Sequence, residues 1–325
     1  MNKALTVIIP AYNVSRYIAQ GMDSLLEEPS ILPYLDIIVV NDGSTDDTLD
    51  KASKYANMFP ESVSVINKEN GGHGSGINVG IRAAKGKYFK VLDGDDWVRT
   101  DGLKELVNYI IEDKGNPDAI INPFEKVWED GKREAIAFKR IKTYTLVEFQ
   151  DIVQYNYTLP LHTITIRTSI FRDNYIPQID EKISYDDMEY ILFPIPYITS
   201  LVFLEEIVYE YRLGIAGQSM NPSQMAKKIN MHTLVIDRLV DYYQSNQHLF
   251  NGAQEAYYLR ELVDTIATNY MIKLHIGVTR RNLLEYRKKY NCLPMHLSRN
   301  KRFKFLFRHD SISLLVSRLY KLRHE

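Results

Sequence analysis

"KYFKVLDGDDWV", residues 87–98, sets an apolar run directly against three carboxylates. Tyr88, Phe89, Val91 and Leu92 build up first; Asp93, Asp95 and Asp96 follow, then Trp97 and Val98. The run reads as a strand buried on both faces. Carboxylates this close repel and resist joint ionisation. A core strand that ends on them calls for a neutralising partner.

Working outward, the same alternation fills the first third of the chain. "LTVIIP" (5–10), "LDIIVV" (35–40), "VSVIN" (63–67), "KYFKVL" (87–92) and "DAIINPF" (118–124) are apolar runs of strand length. Helical spacing lies between them. Val14, Ile18, Met22, Leu25 and Leu26 form one stripe, capped by Asn13 or Ser15. A second helix starts at Ser44 or Thr45, with acids in its first turn. A short third covers about 76–84, and Thr100 caps a fourth that carries Leu103, Leu106, Val107, Ile110 and Ile111. This β-α-β-α order predicts an α/β fold with a mostly parallel sheet and helices on both faces. From 125 to 221 the pattern changes. "VWEDGKREAIAF" reads as a hairpin around Asp130-Gly131. "LHTITIRTS" and "LVFLEEIVYEYRL" read as further strands, and "ISYDDMEYILF" as a loop entering a helix. Beyond the turn-rich "GQSMNPSQ" only helical patterns occur, so the boundary is set near 221.

Composition narrows the function. The 325 residues suit one large domain or two ordinary ones, with 45% hydrophobic and 25% charged residues. A net charge of −1 makes no case for nucleic acid as a partner. The single cysteine, Cys292, excludes a disulfide framework and a thiolate zinc site. The apolar run in "MNKALTVIIPAYN" is broken too early by Pro10 for a signal peptide. No stretch reaches the roughly 18 apolar residues of a membrane span, so a cytoplasmic protein is expected.

In an open parallel sheet, ligands bind beyond the carboxyl ends of the strands. "PAYN", "NDGSTDD", "KENGGHGSG" and "DGDD" all fall there. With the later "YDDMEY", these segments resemble, in order and spacing, the family-2 glycosyltransferases of GT-A (Rossmann-like) fold over residues 1 to about 215. The resemblance implies a catalytic domain over 1–221, with a nucleotide-binding half about 1–124 and an acceptor half about 125–221. Residues 222–325 form an all-helical region outside it. It also implies a nucleotide-sugar donor, a divalent cation (Mn2+ or Mg2+), inversion at the anomeric carbon and a glycan acceptor.

The resemblance also implies the site residues, each carried over by its motif position. Asp95 is the metal ligand, Asp93 holds ribose or metal, and Gly94 lets the backbone approach the ligand. A hard cation between carboxylates and a diphosphate would relieve their repulsion. Asp96 starts the next turn or joins them; an EF-hand loop is excluded because Trp97 occupies a ligand position. Pro10, Ala11, Tyr12 and Asn13 run along the nucleoside, with Tyr12 as a wall for the base. Asp42 accepts from the uracil imide N–H, which favours UDP over a cytidine nucleotide. The glycine loop is neither a P-loop nor a dinucleotide fingerprint. Its Asn70, Gly71, His73, Gly74 and Asn78 line the donor pocket. Where the family has Ala-Arg-Asn, this chain has Gly76, Ile77 and Asn78; the missing cation leaves His73 or Lys68 as substitutes. Asp187 is the general base and Asp186 its neighbour, where the family commonly has Glu-Asp. Two adjacent acids raise one another's pKa, although acids at a helix start also serve the helix dipole alone. Arg212, Gln218 and Ser219 are placed near diphosphate or acceptor, and His162 at the acceptor pocket's border.

The expected activity is metal-dependent transfer of a hexose from a UDP-sugar, UDP-glucose or UDP-galactose, to a hydroxyl of a bacterial surface glycan, glycoprotein glycan or lipid-linked acceptor. Two alternatives stand beside it. A sugar-1-phosphate nucleotidyltransferase would carry an Arg- and Lys-containing glycine-rich signature where this chain has "PAYNVSRY". A degenerate transferase acting as a binding subunit is permitted by the missing Arg and opposed by the intact "DGDD" and "YDD". Residues 280–325 carry 13 Lys and Arg against three acids. This basic amphipathic pattern suits packing within the protein, a homo-oligomer, or peripheral contact with a membrane at its inner face.

Overall fold

Leu5–Ala11 forms β1 at the heart of a computed structural model that describes residues 3–214 and 222–324. All seven of its residues are buried, as are all eight of β2 (Leu35–Asp42). Their continuous apolar runs leave no solvent face, so both demand neighbours above and below. The larger sheet also takes in β3 (Val63–Lys68), β4 (Tyr88–Val91), β6 (Ala119–Ile121), β9 (Leu146–Val147), β10 (Ile164–Arg167) and β11 (Leu201–Phe203), in the order β3-β2-β1-β4-β10-β6-β11-β9. The β3-β2-β1-β4 part is parallel, which brings its four carboxyl ends to one edge. β10 runs antiparallel between β4 and β6.

Helices α1 (Ile18–Leu26), α2 (Thr48–Met58), α3 (His73–Ala83) and α4 (Thr100–Ile111) alternate with these strands. The shorter α5 (Phe149–Gln154), α6 (Thr168–Asp173) and α7 (Asp187–Leu192) follow. α3 lies almost flush on β1, because glycines meet the strand. A Cβ on Gly76 would come 2.9 Å from Pro10 Cβ, and one on Gly80 2.2 Å from Ile8 Cγ2. Gly80→Ala is therefore expected to destabilise by about 2 kcal/mol through overpacking. Urea unfolding checks it, and an unchanged midpoint would mean that α3 can lift off at no cost.

Several local expectations change. The run 118–124 is two strands, not one. It breaks at Asn122-Pro123, and β7 (Phe124–Trp128) enters a second sheet. Pro123 has no N–H for the ladder. "LVFLEEIVYEYRL" likewise splits into β11 and β12 (Tyr209–Leu213) around an acidic turn. The second sheet, β5-β12-β7-β8, is completed by β5 (Trp97–Val98) and β8 (Arg133–Ile136). The hairpin of β7 and β8 forms as expected, with Gly131 at φ +84°. The helix caps differ too. Tyr17, Asp47 and Arg99 occupy the N-cap positions of α1, α2 and α4, none with a side-chain cap. Asn13, Ser44 and Thr45 bond one another across loops instead, and the Thr100 hydroxyl donates to Glu27.

Residues 217–325 make a second unit, helical throughout its described part. It comprises α8 (Pro222–Lys227), α9 (Ile229–Asn246), α10 (Gly252–Ile276), α11 (Arg280–Tyr290), α12 (Lys301–Arg308) and α13 (Asp310–His324). Asn251 and Gln254 close a capping box at the start of α10. Among the described residues, no helix is long and apolar enough to cross a membrane.

Candidate active site

Three loops at the carboxyl edge of the sheet are tied together by buried carboxylates. The first is Asp42, at the end of β2 and 2% exposed. Its Oδ1 accepts from Lys68 Nζ at 2.6 Å and from the Gly71 N–H at 2.9 Å. Its Oδ2 accepts from the Gly72 N–H at 2.7 Å. Asn70 donates to the Asp42 carbonyl. Asp42 is thus the anchor of the glycine loop, with spare acceptor capacity only at Oδ2. Gly72, at φ +88°, turns the chain into α3. Asp42→Ala would strand a partly buried ammonium and two amide donors, at about 3 kcal/mol. A urea midpoint equal to wild type would show the loop to be held by other means. Beside this loop, Pro10 and Ala11 are buried and Tyr12 stands half exposed at the strand end. Asn13, at φ +53°, spends its side-chain oxygen on the Thr45 N–H.

The second loop is "DGDD". Asp96 is 1% exposed, with both oxygens occupied: Tyr209 Oη donates to Oδ2 at 2.6 Å and the Arg212 N–H to Oδ1 at 2.7 Å. It fastens the loop to β12. Arg212 adds a bond from Nε to the Asp95 carbonyl at 2.8 Å, with its guanidinium over Trp97 and Tyr17. Asp93 and Asp95 are left half-buried. Burial, then the Asp93 charge, pushes the Asp95 carboxyl up; burial and both neighbours push Asp96 well up. Gly94 lies against Pro10, where a Cβ would come 3.0 Å from the carbonyl oxygen.

His162 belongs to this loop's surroundings, sandwiched by Phe124, Tyr209 and Tyr211. Buried Lys90 donates to its carbonyl at 2.8 Å and fixes its segment. Burial pushes the imidazole down to about 4, so it is neutral, and its buried Nδ1 has no hydrogen-bond partner. One ligand atom each from His162, Asp93 and Asp96 lies within 4.8 Å of the others. The residues fit a divalent cation: three carboxylates lie within four positions, the Asp93 charge helps to push Asp95 and Asp96 up, and no side chain among the described residues donates to that of Asp95. Asp93 and Asp95 are the two less buried carboxylates of the three. Asp96 is almost fully buried, and each of its oxygens already accepts a bond that holds the loop to β12. His162 offers a neutral nitrogen to the same place.

The third loop carries the acid pair. Asp186 is the N-cap residue of α7 and Asp187 its first residue. The Asp186 carboxylate makes no cap; it reaches His73 Nδ1 at 2.8 Å. The other ring nitrogen, Nε2, meets Asp93 Oδ1 at 3.0 Å. His73 thus bridges the second and third loops. Burial opposes its charge, but the two carboxylates outweigh burial and hold its pKa well above 6.5. The bridge is seated by α3: Asn78 gives and takes a bond with the Ile179 backbone, at 2.8 and 3.0 Å, and a Cβ on Gly74 would meet the Asp180 carbonyl at 2.3 Å. Lys182 and Tyr185 sit at φ +56° and +75°, backbone conformations that non-glycine residues rarely adopt. Asp187 itself is half-buried and within reach of the charges of Asp186, His73 and Asp93. Burial first and Asp186 second push its carboxyl up to about 6.

The two substitute cations are both taken. Lys68 is spent on Asp42 and His73 on two carboxylates, so neither stands free for a phosphate. Gln218 and Ser219 lie outside the described residues. Tyr209 was not singled out in the sequence, and no motif marks it; only the pairing of β12 with β5 brings it beneath "DGDD". An open cavity of about 670 Å³ lies at the opposite end of the larger sheet. Its Lys87 and Arg172 are already bound, to Asp113 and to the Ala84 carbonyl, and it holds none of this chemistry.

Residues 6–173, over half of the chain, match the model of the family described as Glycosyl transferase family 2. Poly(ribitol-phosphate) beta-N-acetylglucosaminyltransferase TarS of Staphylococcus aureus is 27% identical over 221 residues, 68% of this chain and 37% of that protein. Hyaluronan synthase of Pasteurella multocida is 24% identical over 337 residues, 91% of this chain and 32% of that protein. The chain therefore spans about a third of the length of these curated relatives. The crystal structure of S. aureus TarS 1–349 in complex with UDP-GlcNAc matches with a TM-score of 0.67 at 20% identity, covering 98% of this chain and 92% of that one. At that identity the likeness establishes a shared fold.

Proposed function

Because the chain belongs to glycosyl transferase family 2, we propose that it moves a hexose from a UDP-sugar to an acceptor hydroxyl with inversion at the anomeric carbon. One observation supports this most: His73 joins Asp93 of the "DGDD" loop to Asp186 of the acid pair. Groups for holding a donor diphosphate and groups for taking a proton share a single site.

Asp93 and Asp95 would hold a divalent cation, and the neutral His162 nitrogen could add to the set. When bound, the cation offsets charge on the departing diphosphate. The protein's own residues do the rest. Asp42 closes the glycine loop beneath the uracil and keeps one lone pair of Oδ2 for the imide. Tyr12 walls the base. Asp187 takes the acceptor proton as the hydroxyl attacks; a carboxyl held near 6 is ionised at neutral pH, yet more basic than a free one. Asp186 and His73 keep Asp187 facing the donor.

UDP-glucose and UDP-galactose are the proposed donors, and the UDP-GlcNAc held by TarS adds a third to any panel. A bacterial surface glycan, glycoprotein glycan or lipid-linked glycan is the proposed acceptor, in keeping with the poly(ribitol-phosphate) in the name of TarS. Such an enzyme works beside the nucleotide-sugar pool, in the cytoplasm. UDP release, measured across the panel with Mn2+, with Mg2+ and after chelation, tests the reading. Turnover with one UDP-hexose, lost on chelation, is expected. Donor protection against thermal unfolding without any UDP release would instead make the chain a binding subunit.

A further inference from the structure

The two most buried side chains of helix α13 are polar: Ser313 is 0% exposed and Ser317 2%, with Leu314, Val316 and Tyr320 half-buried around them. The Ser313 hydroxyl donates to the Leu306 carbonyl at 2.6 Å, and Ser317 Oγ accepts from the Val278 N–H at 3.0 Å. Its outer face is aliphatic: Ile312, Leu315 and Leu319 are 39%, 56% and 53% exposed. At 3.6 residues per turn these three fall within roughly 60° of helix azimuth. A helix that only packed on its own unit would carry the reverse pattern. The preceding α12 adds Phe305, 51% exposed among exposed Lys301, Arg302 and Arg308. Arg318 is exposed on α13. Asp310, the one acid in 301–320, is already paired with Arg287.

We propose that this face rests on an anionic lipid surface, a role beyond the glycosyl transfer itself. Aliphatic side chains flanked by cations, with no acid free among them, match the boundary between headgroups and acyl chains. A second copy would bring the same positive surface against this one, and like charges oppose that contact. An acidic polymer would use the cations and leave the leucines wet. No helix among the described residues can span a bilayer, so the contact is peripheral.

Co-sedimentation of the full chain with phosphatidylcholine vesicles, with and without about 30% phosphatidylglycerol, tests the proposal. The chain should pellet with the anionic vesicles, release as salt rises towards about 1 M, and stay free of pure phosphatidylcholine. Leu315→Glu with Leu319→Glu should weaken binding at least about tenfold, and the milder Leu315→Gln about threefold. Both variants leave the transfer machinery intact, so unchanged UDP release shows that they are folded and separates this result from failure of the proposed activity. The proposal is overturned by equal binding to both vesicle types, by no binding to either, or by full binding of the variants. It is equally overturned if the wild type is a dimer that the double substitution makes monomeric.

Discussion

Asp187→Asn is expected to lower kcat by about a thousandfold while leaving donor affinity within about twofold. The substitution keeps size and shape and removes only basicity. Asp187 lies next to the buried, His73-bound Asp186, within reach of the Asp93 charge, and no other described carboxylate of the acid-pair loop combines that position with a raised pKa. The pH dependence carries the same signature. A base must be unprotonated to act, so the rate should fall as pH drops through about 6, and level off above it. The Asn variant should lose this limb. Single-turnover rates across the pH range, with donor affinity from thermal protection, decide the matter. A variant with near wild-type kcat, or a wild-type rate flat through pH 6, would remove Asp187 from the role of base.

His73→Phe should have the second large effect. The ring keeps its bulk, but both nitrogen contacts vanish. Asp186, 4% exposed, would be left as a buried carboxylate without its cation, a change that costs about 3–5 kcal/mol when one partner of a buried pair is removed. Because the folded-state pKa of His73 is raised, the stability that its charge confers is fully present below about 6.5. It declines as pH rises through the higher folded value. The gap in unfolding free energy between wild type and variant should therefore be widest in mild acid and narrow on the alkaline side. Transfer should also suffer, through kcat more than KM, because Asp93 and Asp186 would no longer share a brace. Equal stability at pH 6, together with an unchanged kcat, would show that the bridge holds nothing.

The alternation of apolar runs with helical stripes was sufficient for the α/β class, the parallel arrangement of the first four large strands and the helical end of the chain. Short-range periodicity records which faces are buried, and that is a property of local sequence. "DGDD", "GGHGSG" and "YDD" were likewise marked as candidate site segments, the first by acids packed against a core strand and the other two by the family resemblance. Roles within them were not visible. Asp93, Asp95 and Asp96 look alike in the sequence; only the pairing of β12 with β5 buries Asp96 under Tyr209 and Arg212 and leaves the other two open. His73 reads as a loop residue 113 positions from Asp186, and Asn78 as a pocket residue; α3 makes them a brace and a clamp. The 118–124 run looked like one strand because hydropathy does not register which sheet a strand joins. α13 sharpens the same lesson: its leucines suggest an inward face, yet its serines occupy the inside, because Tyr270, the Leu306 carbonyl and the Val278 amide already need polar partners there. Local sequence determined what must be buried and what must be neutralised. Tertiary structure decided which groups satisfy those needs, because hydrogen bonds and ion pairs depend on distances across elements far apart in the chain.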